Sequence, residues 1–213
     1  MTVEKLAVGA VVTNCYIVFD GETKDALVID PGAAAGRIAE KIRGMDLKPR
    51  AILLTHGHFD HILAADELRR EFSVKLLCSE AERELCADPV LNVGQAFGCA
   101  CSVLPDETFS DGEKLEFGAL SCTVIATPGH TKGGVCFYFG QEGILFSGDT
   151  LFFESVGRTD FPGGSAKVLI DSVKERLFVL PDATKVYPGH GPATSIAYEK
   201  ENNPYVNEEG YLY

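Results

Sequence analysis

The sequence predicts an α/β protein. Short apolar runs rich in β-branched and aromatic residues alternate with helical patterns, and Gly, Pro and Asp bound the runs. No linker, low-complexity tract or short-period repeat divides the pattern. A chain of 213 residues, 46% of them hydrophobic, suffices for one large domain with a full core and is short for two. Residues 1–213 are therefore read as a single domain.

Strands are expected at 12–19, 25–30, 50–55, 74–78, 113–117, 120–126, 134–140, 143–148 and 184–187. Helices are expected at 34–44, 62–72, 79–87 and 165–180. Ser79 and Glu82 form a capping-box pattern at the start of the third helix. Leu169, Val173, Leu177 and Leu180 give the fourth an apolar stripe at helical spacing, the mark of a core-facing side. Hairpin-like strands precede strand–helix units, and the order recurs in the second half. Two sheets packed together with helices outside satisfy this order, and so does a single open sheet.

No apolar run is long enough to span a bilayer. The opening MTVEKLAVGAVV lacks the ordered regions of a signal peptide, so a cytoplasmic protein without membrane partners is expected. A formal net charge of −12 repels phosphate backbones and argues against a nucleic-acid partner. Small substrates stay open, because a metal can invert the local field. The seven scattered cysteines are expected to be reduced. Cys99 and Cys101 lack the spacing of a zinc ribbon and read as small apolar residues of a loop.

The run Thr55-His56-Gly57-His58-Phe59-Asp60-His61 follows the apolar strand AILLT and holds four potential metal ligands. His56 and His58 on a glycine-bearing turn can aim at one spot. Asp60 and His61, at the start of the next helix, can aim at a neighbouring one. One ion could hardly use all four, whereas two adjacent ions could. Three more apolar strands end in a small turn with a metal-capable residue: VIATPGH at His130, ILFSGD at Asp149 and KVYPGH at His190. All five histidines of the chain occupy these loops. Such strand ends converge on one edge of a sheet, which marks a metal site. Five imidazoles and two carboxylates without a thiolate suit zinc, iron or manganese, and zinc is the default for hydrolysis because it needs no redox control. Asp30, in LVIDPG, is expected to accept a hydrogen bond from a ligating histidine.

The set His-x-His-x-Asp-His at 56–61 with His130, Asp149 and His190 resembles the metallo-β-lactamase superfamily over nearly the whole chain. That resemblance implies a four-layer αββα sandwich with the site at one edge of the two sheets. The segments TPGHT, SGDTLF, GR at 157–158 and YPGHGP, with AYEKENNPY after them, resemble the short bacterial glyoxalase II-like hydrolases. On this resemblance His56, His58 and His130 hold a first zinc and Asp60, His61 and His190 a second. Asp149 bridges them, and Asp60 and Asp149 are the catalytic carboxylates. Full-length glyoxalase II carries a C-terminal helical domain that helps hold glutathione. Here 23 residues follow His190, so groups near the metals would have to hold the substrate.

Two divalent ions bring the pKa of a bridging water near neutrality, so hydroxide between them is the expected nucleophile. Thioesters suit such a site, because a thiolate leaves without protonation while a lactam nitrogen needs a proton donor. The expected partner is a small anionic thioester such as S-lactoylglutathione. Arg158, eight residues after the metal loop 147–150, is expected to pair with a substrate carboxylate or carbonyl, or else with Asp160 or Glu154 at the surface. The apolar stretch 86–105 is read as an insertion, either a substrate-facing loop or a satellite core. Other readings are a mononuclear iron persulfide dioxygenase, which GRTDF at 157–161 resembles, a lactonase or other ester hydrolase, and a non-catalytic binding protein.

Overall fold

The computed structural model describes residues 1–207, so the last six residues of the expected domain lie outside the described residues. The first half forms a sheet in the order β1-β2-β3-β4-β5-β6: Thr2–Val8, Thr13–Phe19, Asp25–Ile29, Lys48–Leu53, Lys75–Ser79 and Glu107–Phe109. The first three strands run antiparallel, and β3 to β6 run parallel. Parallel neighbours need crossovers. Helices α1 (Ala35–Gly44), α2 (Phe59–Ile62), α3 (Ala65–Phe72) and α4 (Arg83–Ala87) lie in them. The second sheet has the order β14-β13-β10-β9-β8-β7: Thr194–Ser195, Lys185–Pro188, Ile144–Gly148, Val135–Phe139, Leu120–Ala126 and Lys114–Phe117. A small hairpin, β11 (Leu151–Phe152) with β12 (Ser155–Val156), follows β10. Helices α5 (Ala166–Ser172), α6 (Ile196–Asn202) and α7 (Pro204–Asn207) complete the described chain.

The choice between two packed sheets and one open sheet is settled by burial. Every residue of β2 is buried, so both of its faces are covered. Its side chains alternate between two cores. Cys15, Ile17 and Phe19 meet Ile38, Ile42 and Leu68 of the helices, while Tyr16 and Val18 meet Phe137 and Phe146 of the second sheet. A third core sets Leu145 and Val186 against Val173, Leu177 and Ile196. Helices, sheet, sheet and helices thus form the αββα sandwich. Burying one such large apolar side chain contributes about 1.5–3 kcal/mol. Among the described residues no helix is long and apolar enough to cross a membrane.

Several elements depart from the sequence reading. The expected helix 62–72 is two helices, and 165–180 is α5 followed by a π-helical turn at Val173–Leu177. The capping box is half right: Ser79 accepts the Ala81 N–H, but Glu82 turns away into the interior. Its carboxylate finds two backbone donors there, which outcompete a cap. Strand β1 was not expected, because its charged residues break the apolar run; it is an edge strand, paired on one side to β2.

The sheets are tied together beside the ends of β4 and β13. Asn14 N–H donates to Gly189 O at 2.7 Å, and its side-chain amide donates to Pro188 O and Gly191 O at 2.9 and 3.0 Å. The buried Tyr16 hydroxyl donates to Pro188 O at 2.7 Å. Tyr16→Phe keeps the ring and removes that donor. It should lower stability by about 1 kcal/mol, read as a lower denaturant midpoint with unchanged slope; an unchanged midpoint would show that the bond adds no net stability.

Candidate metal centre

The C-terminal ends of β4, β8, β10 and β13 bring all seven predicted ligands to one edge. Asp30, just past β3, has a left-handed backbone (φ 51°), unusual for a residue with a side chain. Its carboxylate accepts the Thr55 N–H at 2.8 Å and the Thr55 hydroxyl at 2.7 Å, which fixes the loop that starts at His56. Gly189 packs closely against the site. A Cβ there would sit 2.1 Å from Asp149 Oδ1, so a larger residue would displace that carboxylate.

His56, His58 and His130 form one group of potential ligands, Asp60, His61 and His190 another, and His56, His61 and Asp149 a third that joins the two. In each group one donor atom per residue lies within 4.8 Å of the others. The hydrogen bonds at the back of the rings show which nitrogen faces inward. His130 Nδ1 lies 2.7 Å from Arg158 O and so donates to it, leaving Nε2 toward the centre. His56 Nδ1 contacts the Thr55 hydroxyl at 3.1 Å. His61 Nδ1 lies 3.1 Å from Asp30 Oδ2, the place expected for Asp30. Outer partners of this kind set the tautomer and raise the ligand's basicity. Asp149 stands between the groups: Oδ1 is 3.4 Å from His61 Nε2, and Oδ2 is 3.5 Å from His190 Nε2 and 3.6 Å from His130 Nε2.

The electrostatics call for cations. Burial holds His56 well below the usual imidazole range and pushes His58 down to about 3, with the neighbouring imidazoles acting in the same sense. Both are therefore neutral donors with a free lone pair. Burial also acts to lower His61, but Asp60, Asp149 and Asp30 overcome it and raise His61 to about 10. Burial would raise Asp60, yet His61 and His190 hold it below the usual carboxylate range. The carboxylates thus require positive charge at the spot where His56 and His58 offer lone pairs. His58 Nδ1 faces His130 Nε2 at 2.9 Å, and His56 Nε2, His61 Nε2 and Asp149 Oδ1 are buried without a hydrogen-bond partner. Buried polar atoms ordinarily have one. These residues fit divalent cations with nitrogen and oxygen ligands.

Around the centre, Arg158 is exposed and pairs with Asp160 at 2.7 and 2.6 Å. Its guanidinium lies over the Phe161 ring at 3.9 Å, and that ring meets His58 edge to face at 5.5 Å. The stretch 86–105 packs in part on the helix-side core and in part beside helix α2. Cys86 and Val103 join the helix-side core, while Phe97 stacks on Phe59 at 5.0 Å, next to Asp60 in the chain. Cys99 is exposed and Cys101 partly packed on the core.

The sequence reading missed the role of Glu82. Its side chain is buried, and its two oxygens accept the Gly57 N–H at 2.8 Å and the Gly133 N–H at 2.7 Å. One carboxylate thereby links the His56–His58 turn to the His130 loop. Burial raises its pKa. No local signal marks it, because both partners are backbone groups far away in sequence.

The chain matches the metallo-beta-lactamase superfamily over residues 8–190 and belongs to it. Within that superfamily it is 36% identical to hydroxyacylglutathione hydrolase GloC of Haemophilus influenzae, over 98% of this chain and 100% of that one. Among solved structures, the BLEG-1 B3 metallo-beta-lactamase superposes with a TM-score of 0.94 at 36% identity, over 97% of this chain and 100% of that one. A di-iron-bound form of TTHA1623 gives 0.86 at 36% identity, over 95% and 99%.

Glu82→Gln tests the link between the loops. An amide has one accepting oxygen, so it strands one of two buried N–H groups. Affinity for zinc should fall about 10- to 100-fold, read by competition with a chelating dye, while far-ultraviolet circular dichroism is retained. Unchanged affinity would reduce Glu82 to a packing residue.

Proposed function

We propose that this metallo-hydrolase cleaves thioesters at a centre of two zinc ions, with S-lactoylglutathione-like compounds as substrates. The observation that carries the binuclear reading is the pair of ligand groups with Asp149 between them, in reach of His130 on one side and His61 and His190 on the other. Seven donors are too many for one tetrahedral ion. The full-length likeness to GloC, named a hydroxyacylglutathione hydrolase, supports the thioester.

Bound there, two divalent ions supply a Lewis acid for the scissile carbonyl and a water acidic enough to ionise near neutral pH. The protein's part is to hold the donors. Thr13 Oγ1 donates to Asp60 Oδ2 at 2.7 Å, which fixes the carboxylate plane. As a metal ligand Asp60 would be ionised, so it would offer no proton to a leaving group. That suits a thiolate, whose conjugate acid has a pKa of roughly 8.5. Lactam opening is the second reading, favoured by the likeness to BLEG-1, named a B3 metallo-beta-lactamase. The di-iron form of TTHA1623 makes iron the metal to measure beside zinc.

Arg158 is the proposed anchor for a substrate carboxylate. Its pair with Asp160 is solvent-exposed, and water and salt screen such pairs strongly. A bidentate substrate carboxylate can replace it at small cost.

Elemental analysis of the purified protein should find close to two metal ions per chain, and kcat/KM should be far higher on S-lactoylglutathione than on a cephalosporin. One ion at full activity, with oxygen consumed when glutathione persulfide is added, would instead indicate the dioxygenase; faster lactam turnover would reverse the ranking. Arg158→Ala should cost about 1–3 kcal/mol in kcat/KM on a carboxylate-bearing thioester and little on a neutral one. Equal losses on both would leave Arg158 a surface residue.

A further inference from the structure

We propose that a cleft beside Asp60 receives the acyl chain of the substrate and favours a short apolar acyl group, an inference that rests on the thioester reading above. The turn between β1 and β2, helix α2 and the stretch 86–105 meet there. Val11, Phe59, Leu63 and Phe97 line the cleft together with Asp60. Three of these side chains are held open to solvent: Val11 is 38% exposed, Leu63 39% and Phe97 51%. A single exposed apolar residue is ordinary. Three around one hollow that shares a wall with the candidate metal centre are not explained by packing alone.

The chemistry of the lining decides what fits. No Lys, Arg or His lines the cleft, so a charged or polyhydroxylated group would shed water there without gaining a partner. The cleft measures about 90 Å³ and is open to solvent, which gives a short chain room to enter. Arg158 and Phe161, by contrast, stand at His58, in the other ligand group. A thioester has two arms leaving one carbonyl. With the polar thiol arm toward Arg158, the acyl arm is left with the apolar cleft at Asp60.

The test uses the full chain loaded with zinc and acyl thioesters of one neutral thiol, N-acetylcysteamine. From acetyl to butyryl, kcat/KM should rise about three- to fourfold per methylene, the effect of burying one CH₂, and then level off. Phe97→Ser should flatten the butyryl-to-acetyl ratio to within about twofold. Val179→Ser, at a residue 71% exposed and outside the cleft lining, should leave that ratio unchanged. A second readout needs no turnover: acetate, butyrate and hexanoate, as product carboxylates, are titrated onto the loaded protein by calorimetry. Affinity should climb with chain length in the wild type and not in Phe97→Ser. Hydrolysis with a flat acyl series and flat carboxylate affinities overturns the cleft and leaves the thioester reading standing. Chain-length-dependent carboxylate binding without hydrolysis of any thioester overturns the reading and leaves the cleft. Equal losses on all acyl groups in Phe97→Ser make its stacking on Phe59 purely structural and overturn the proposal.

Discussion

Five imidazoles and two carboxylates share one desolvated edge, and they cannot all be satisfied by one another. Burial keeps His56 and His58 neutral while three carboxylates demand positive charge of His61. Uncompensated charge in a low-dielectric interior is costly, and a cation with a fixed shell of donors removes the conflict. The positions of the surrounding loops follow from that constraint. Three of the rings have the nitrogen that faces away from the centre contacted from behind. Arg158 O, Thr55 and Asp30 provide those outer contacts for His130, His56 and His61.

Holding the loops is the work of the sandwich. Ligands come from both sheets, so the relative position of the sheets is also the relative position of the ligands. Ties across the interface are therefore concentrated beside the site. Asn14 and Tyr16 of the first sheet grip the backbone around Pro188, and the Val135 N–H donates to Thr55 O at 2.9 Å. Glu82 does the same between the two loops that carry the first ligand group. None of these contacts touches a candidate metal position, yet each restricts where a ligand can go.

The surroundings of the centre are unequal. A cation stacked on an aromatic ring stands by His58, and an apolar hollow lies by Asp60. The acidic surface that disfavours phosphate backbones does not prevent an anionic group from approaching the first of these, because the local field there is set by Arg158 and by whatever cations the ligands hold. Loops of this kind can differ while the metal ligands stay unchanged, which is how one fold serves several chemistries.

The seven candidate ligands and the strands that carry them were legible in the sequence. Strands declare themselves by local composition, and a histidine after an apolar run with a glycine turn is a short-range pattern. Asp30 was legible for the same reason, from its place at a strand end before Pro31. Strand β1 and the short strands β6, β11, β12 and β14 were not, because their stability comes from partners and not from their own residues. The turning of Glu82 from a helix cap into the link between two loops lay beyond the sequence. So did the pairing of Arg158 with Asp160, from the two surface partners considered, and the stacking of Phe97 on Phe59. In the sequence Glu82 is 25 residues from Gly57 and 51 from Gly133; the folded chain sets its oxygens 2.8 and 2.7 Å from their amides. Residue type and spacing determine which groups can bind a metal, because that is a property of each side chain. Which groups hold the ligands in place and what shape the substrate meets are decided by packing between distant segments, and only the tertiary structure brings those together.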